Sequence, residues 1–143
     1  MQATALAEAP SPEAKTADII NFPLGLLGFE QIKQYTLLSH PDEAPFLRLQ
    51  RAEDLNSGFL VVPPSECVAS YQPDLHPEDV AFLKLRGSED AFVLNIVTLR
   101  SDGQATVNLK GPLVINRRTL IGKQVVPVNA ADYSVQHPLP VAN

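Results

Sequence analysis

The chain has no tryptophan and a single cysteine, Cys67, among its 143 residues. One cysteine excludes an internal disulfide and any thiolate-rich zinc site, since both need several. It points toward a reducing compartment. Nothing beside Cys67 activates it, because the charge of neighbouring Glu66 disfavours a thiolate, so it reads as a small buried hydrophobe. Histidine is also scarce. His40, His76 and His137 each directly precede a proline and lie far apart, with no second ligand at a metal-binding spacing. They read as turn residues. Basic charge is in deficit, with 11 Lys+Arg against 16 Asp+Glu and a net charge of −5. Counterion release at lysine and arginine supplies most non-specific affinity for nucleic acid, so direct RNA or DNA binding is disfavoured. The balance admits a basic partner. No run approaches the ~20 apolar residues of a membrane helix. Met1–Thr16 has neither a charged n-region nor an apolar core, so no signal peptide is expected. The expectation is a cytoplasmic protein with no membrane association.

Long helical periodicity is missing too, and short strand-like runs take its place. Thirteen prolines, well above a usual ~5%, are spread along the chain as strand ends and turns. Residues 1–16, rich in Ala, Pro, Glu and Ser, read as a disordered tail, and residues 140–143 as a second, short one. Between them, residues 17–139 read as one domain. Strands are expected at Asp18–Phe22, Tyr35–Ser39, Pro45–Gln50, Gly58–Val62, Ala91–Arg100, Ala105–Lys110, Leu113–Asn116, Ile121–Val128 and Tyr133–Leu139. Arg51–Gly58 reads as a polar turn. The near-continuous apolarity of Ala91–Arg100 implies burial on both faces. His76–Leu83 is the helix candidate, with Pro77 and two acids in its first turn. The whole is an all-β, mainly antiparallel fold, a small bent barrel-like domain with at most one or two short helices. Proline inside strand-like runs, at Pro112 and Pro127, suits bends and edges.

Motifs for catalysis are missing. There is no Gly-x-Ser-x-Gly elbow. Gly25 and Gly28 lack the Lys-Ser/Thr and the helix of a phosphate loop. Instead they punctuate an apolar loop, Pro23–Glu30, whose Leu24, Leu26, Leu27 and Phe29 must pack on the core or on a partner. The acidic pairs Asp42-Glu43, Glu53-Asp54, Glu78-Asp79 and Glu89-Asp90 fall in loops, as solvated charge or as a contact surface for a basic partner. Asn95, Asn108, Asn116 and Gln124 interrupt apolar runs. A buried amide must be hydrogen-bonded, so each fixes a bulge or strand crossing or else lines a partner groove.

Phe22-Pro23-Leu24-Gly25-Leu26-Leu27-Gly28-Phe29-Glu30 resembles the N-terminal signature of the flagellar assembly factor FliW family. Val107-Asn108-Leu109-Lys110-Gly111-Pro112-Leu113-Val114-Ile115-Asn116 and Gly122-Lys123-Gln124-Val125-Val126 are similar to its C-terminal signature. Phe46–Gln50, Phe59–Val62, Tyr71–Leu75 and Tyr133–Leu139 follow in the family's order. Three positions depart from the pattern: Arg51 where a small serine-like residue is usual, Gly111 for a common alanine, and Gln136 where arginine is frequent. The resemblance implies a barrel-like β domain with no enzymatic activity, no cofactor and no metal. It implies two protein partners, flagellin and the translational regulator CsrA. Holding CsrA would relieve repression of flagellin mRNA translation, and accumulating flagellin would reverse the effect. Candidate partner-binding residues are Leu24, Leu26, Phe29, Glu30, Glu53, Asp54, Asn108, Asn116 and Gln124. The alternative reading is a small-ligand-binding β-barrel or an enzyme in which His40, His137 or Cys67 converge with acids.

Overall fold

The computed structural model describes residues 18–66 and 68–139. The two expected tails and the reading of Cys67 lie outside the described residues. Among the described residues, nine strands, β1 (Ile19–Asn21), β2 (Gln34–Ser39), β3 (Leu47–Arg51), β4 (Asp54–Val62), β5 (Ala91–Leu99), β6 (Ala105–Val107), β7 (Leu113–Asn116), β8 (Gly122–Gln124) and β9 (His137–Leu139), join one α-helix, α1 (Pro77–Leu83), and short 3-10 turns. All strand ladders are antiparallel, in the order β1-β2-β3-β4-β5-β6-β9, with β7 on β5 and β8 on β7. The expected all-β, mainly antiparallel fold with at most one or two short helices is what forms. Among the described residues no ladder closes the sheet into a ring. A single parallel bridge, Asn21 to Ile121, ties β1 to the residue before β8, and the Asn21 N–H donates to the Leu120 carbonyl at 2.9 Å.

β5 is the branch point. Ala91–Leu94 pairs with β7, whereas Val97–Leu99 pairs with β6. Alternation sends Phe92 and Leu94 into one core with Ile20, Phe22, Tyr35, Leu49 and Ile115. Ala91 and Val93 face the other way and pack with Leu83 of α1, Val114 and Val125. Val97 joins a third cluster with Val62, Tyr71, Val107 and Leu139. The two-faced burial expected from the sequence is therefore supplied by a sheet on one side and a helix on the other.

α1 starts at Pro77, with Glu78 and Asp79 in its first turn, and stops at Lys84, which turns left-handed at φ 56°. Buried Asp79 pairs with Lys123 of β8, which also lies over the Phe82 ring at 5.5 Å. Nδ2 of Asn116 donates to the Leu83 carbonyl at 2.7 Å and to that of Lys84 at 3.3 Å, satisfying the helix end. Burial pushes the Tyr71 phenol pKa up to about 12, and its hydroxyl donates to the Leu109 carbonyl at 2.7 Å.

Some strand limits differ from expectation. β4 begins at Asp54, inside the segment expected as a polar turn. The last two strands shrink to Gly122–Gln124 and His137–Leu139.

Candidate functional site: a groove beneath an apolar loop

The loop between β1 and β2 is a series of turns. Phe22 N–H donates to the Lys33 carbonyl at 2.8 Å and closes its base. Gly25 N–H donates to the Phe22 carbonyl at 2.8 Å, and Phe29 N–H to that of Leu26 at 2.7 Å. Gly25 and Gly28 hold φ of +70° and +85°, the left-handed region that glycine enters without strain. Leu26 is buried in the first core and anchors the loop, with its flanks held outward. Leu24, Leu27 and Phe29 remain 52%, 64% and 47% exposed. Exposure this high on three neighbouring large apolar residues exceeds what packing of the chain on itself requires.

The loop is fastened from a distance. Oε1 of Gln124 accepts from the Leu27 N–H at 2.9 Å, and its Nε2 donates to the Gly111 carbonyl at 3.0 Å. A Cβ on residue 111 would lie 2.9 Å from that Nε2, so glycine there leaves room for the amide. Glu30 accepts the Gly28 N–H at 3.1 Å. That bond, its own N–H and the charge of Lys33 hold its carboxyl below the usual range, against a small desolvation cost.

An open groove of about 700 Å³ runs beneath the loop, walled by Phe29, Glu30, Ile32, Lys33, Arg51 and Glu53 with the backbone between them. A second, of about 370 Å³, lies along β3 and β4 and includes Arg48, Gln50, Phe59 and Leu60. The two meet where the Phe29 and Phe59 rings stack edge to face, centroids 5.1 Å apart. Neither groove is lined by a histidine. Among the described residues no group of three or more His, Cys, Asp or Glu is placed to hold a metal ion.

The structure thus brings Phe29, Glu30 and Glu53 to one groove and places Leu24 on the same loop. Asp54 is exposed at the start of β4, where its Oδ1 accepts the Asn56 N–H at 3.1 Å. Leu26 and Asn116 are turned fully inward. Asn108 spends its Oδ1 on the N–H groups of Lys110 and Gly111, at 2.9 and 3.1 Å. Gln124 meets the loop's backbone from behind. Leu27, Ile32, Lys33, Arg51 and Phe59 also belong to this surface. Of these, Leu27 carried a signal, as an apolar residue in a glycine-punctuated loop, and Arg51 stood out only as a departure from a pattern.

Fold and site define a class: a small antiparallel β-sheet protein that holds an apolar loop over an open groove with charged walls. The profile of the family described as FliW protein matches residues 6–139. The chain is 39% identical over 129 residues to the flagellar assembly factor FliW of Natranaerobius thermophilus, covering 89% of this chain and 85% of that one. It is 37% identical over 128 residues to the FliW of Clostridium botulinum strain Langeland, covering 89% of each. A crystal structure of the flagellar assembly factor FliW superposes with a TM-score of 0.76 at 31% identity, covering 87% of both chains. The chain belongs to the FliW family of flagellar assembly factors.

Proposed function

We propose that this chain is a cytoplasmic assembly factor that binds flagellin and also binds the translational regulator CsrA, relieving CsrA's repression of flagellin mRNA translation. The observation that carries the binding role is the outward set of Leu24, Leu27 and Phe29, exposed on a loop fixed by Leu26 and Gln124. Covering the remaining exposed part of each such side chain gains on the order of 1 kcal/mol. A pre-ordered loop loses little further entropy on binding. Family membership supports a partner in flagellum assembly. The acidic surplus and the exposed Glu30, Glu53 and Asp54 support a contact with a basic, RNA-binding protein rather than with RNA itself.

Co-purification of the tagged chain with flagellin and with CsrA from the same organism tests the reading. Both are expected to be retained. Leu24→Asp with Leu27→Asp should release flagellin while the protein stays folded, since both side chains already face solvent. Failure of the folded wild-type chain to retain either protein refutes the assignment.

A further inference from the structure

Arg51 and Lys33 are the cations of the larger groove, and neither belongs to the ion pairs Arg48–Glu43, Arg118–Asp90 and Lys123–Asp79. Lys33, the other cation of this groove, is offset by Glu30, whose carboxyl its charge stabilises. Glu53 lies two residues beyond Arg51 on the turn into β4, yet no ion pair joins the two. The Nε of Arg51 is buried with no hydrogen-bond partner among the described residues. Directly across the β2–β3 ladder from Arg51 sits Tyr35, fully buried, and its hydroxyl is also without a partner. The guanidinium is near enough to the phenol to offset part of the pKa rise that burial causes. Two opposed residues thus carry polar groups with no acceptor supplied by the fold. Arg51 stands at the wall of an open groove, with exposed Phe29 and half-buried Ile32 on the same wall.

We propose that Arg51 is a specificity-determining residue that receives a carboxylate from the bound polypeptide, whose adjoining apolar side chain seats against Phe29 and Ile32. The occupant is a protein segment that sets an acidic residue beside an apolar one. A guanidinium suits this task because it offers paired N–H donors to a carboxylate, a geometry that lysine cannot reproduce. Glu30 is engaged by the loop backbone, its Oε2 accepting the Gly28 N–H. This inference rests on the flagellin-binding reading given above and adds the chemistry of one contact to it.

Titration calorimetry of the full chain with purified flagellin tests it, using Arg51→Gln, Arg51→Lys and Arg51→Glu. Arg51→Gln should weaken binding by about ten- to a hundredfold. Arg51→Lys should recover part of the loss. Arg51→Glu, which sets a second acid beside Glu53, should bind most weakly. Thermal unfolding of Arg51→Gln should stay close to that of the wild type, because the Arg51 side chain makes no hydrogen bond or ion pair among the described residues. A merely structural arginine would lower the unfolding temperature when replaced. Binding of Arg51→Glu within twofold of wild type overturns this inference and leaves the flagellin reading standing. Absence of any complex with the wild-type chain overturns both.

Discussion

Asn116 shows how one polar side chain secures two elements. It is completely buried on β7, yet all its bonding capacity is used within the chain. Nδ2 holds the two carbonyls at the end of α1, while Oδ1 accepts the N–H groups of Arg118 at 2.7 Å and Thr119 at 3.3 Å. The amide therefore joins the helix to the turn that leads into β8. Replacement by alanine strands the buried Leu83 carbonyl and frees the Arg118 N–H at a part-buried turn. A buried group left unsatisfied costs about 1–3 kcal/mol. Asn116→Ala should lower stability in urea unfolding by about 1–3 kcal/mol. A change under about 0.5 kcal/mol, the size of an ordinary surface substitution, would show that the amide is not the tie described.

At the scale of elements, the apolar loop is built on two glycines with different duties. A Cβ on Gly25 would fall 2.5 Å from both Cα and O of Glu30, backbone atoms with no rotamer to move into. A Cβ on Gly28 would meet nothing within 4 Å. Gly28→Ala should therefore cost only the left-handed strain of about 1–2 kcal/mol. Gly25→Ala adds a backbone collision and should cost roughly 1–3 kcal/mol more. It should also weaken flagellin binding, because the collision displaces the segment that presents Leu27 and Phe29. Urea unfolding and calorimetry of the two variants check the ranking, and equal costs would contradict a loop folded this tightly. This loop was legible in the sequence because its determinants are local: two glycines, an anchoring leucine and apolar flanks. The groove beneath it was not. Its Phe29 wall is set by a Phe29–Phe59 contact between segments 30 residues apart, and the loop above it is fastened by a bond between Leu27 and Gln124, 97 residues away. No local period records such meetings. β4 was read short for a related reason. Asp54, Asn56 and Ser57 have poor strand preference; Asp54 pairs with Arg51, Gly58 with Gln50, and the residues between fall in an irregularity of the β3–β4 ladder. Gly58 permits that pairing, since a Cβ there would lie 2.3 Å from the Leu49 carbonyl oxygen. The helix and β7 were found where expected because proline, first-turn acids and a four-residue apolar run mark them directly.

At the scale of the whole molecule, charge and shape do separate work. Three apolar clusters, each receiving residues from β5, give the loop and groove a common frame. In the proposed reading, short-range contacts at Arg51 would select the segment that is held. The net charge of −5 acts further out, before contact. A basic partner approaching this chain is drawn in by the summed field, and Glu53 and Asp54 place part of that field beside the groove. Salt acts on this approach. The screening length falls from about 10 Å at 0.1 M to about 3 Å at 1 M. Steering is lost over that range, whereas apolar burial persists. The association rate with CsrA should thus fall about tenfold between 0.05 and 0.5 M salt, with the dissociation rate changing far less. Glu53→Gln with Asp54→Asn should flatten that dependence without lowering stability, because both residues face solvent. Stopped-flow mixing at several salt concentrations gives the slope directly. An association rate that ignores salt would remove electrostatic steering from the account, and an unchanged slope in the double variant would place the attracting charge elsewhere on the surface.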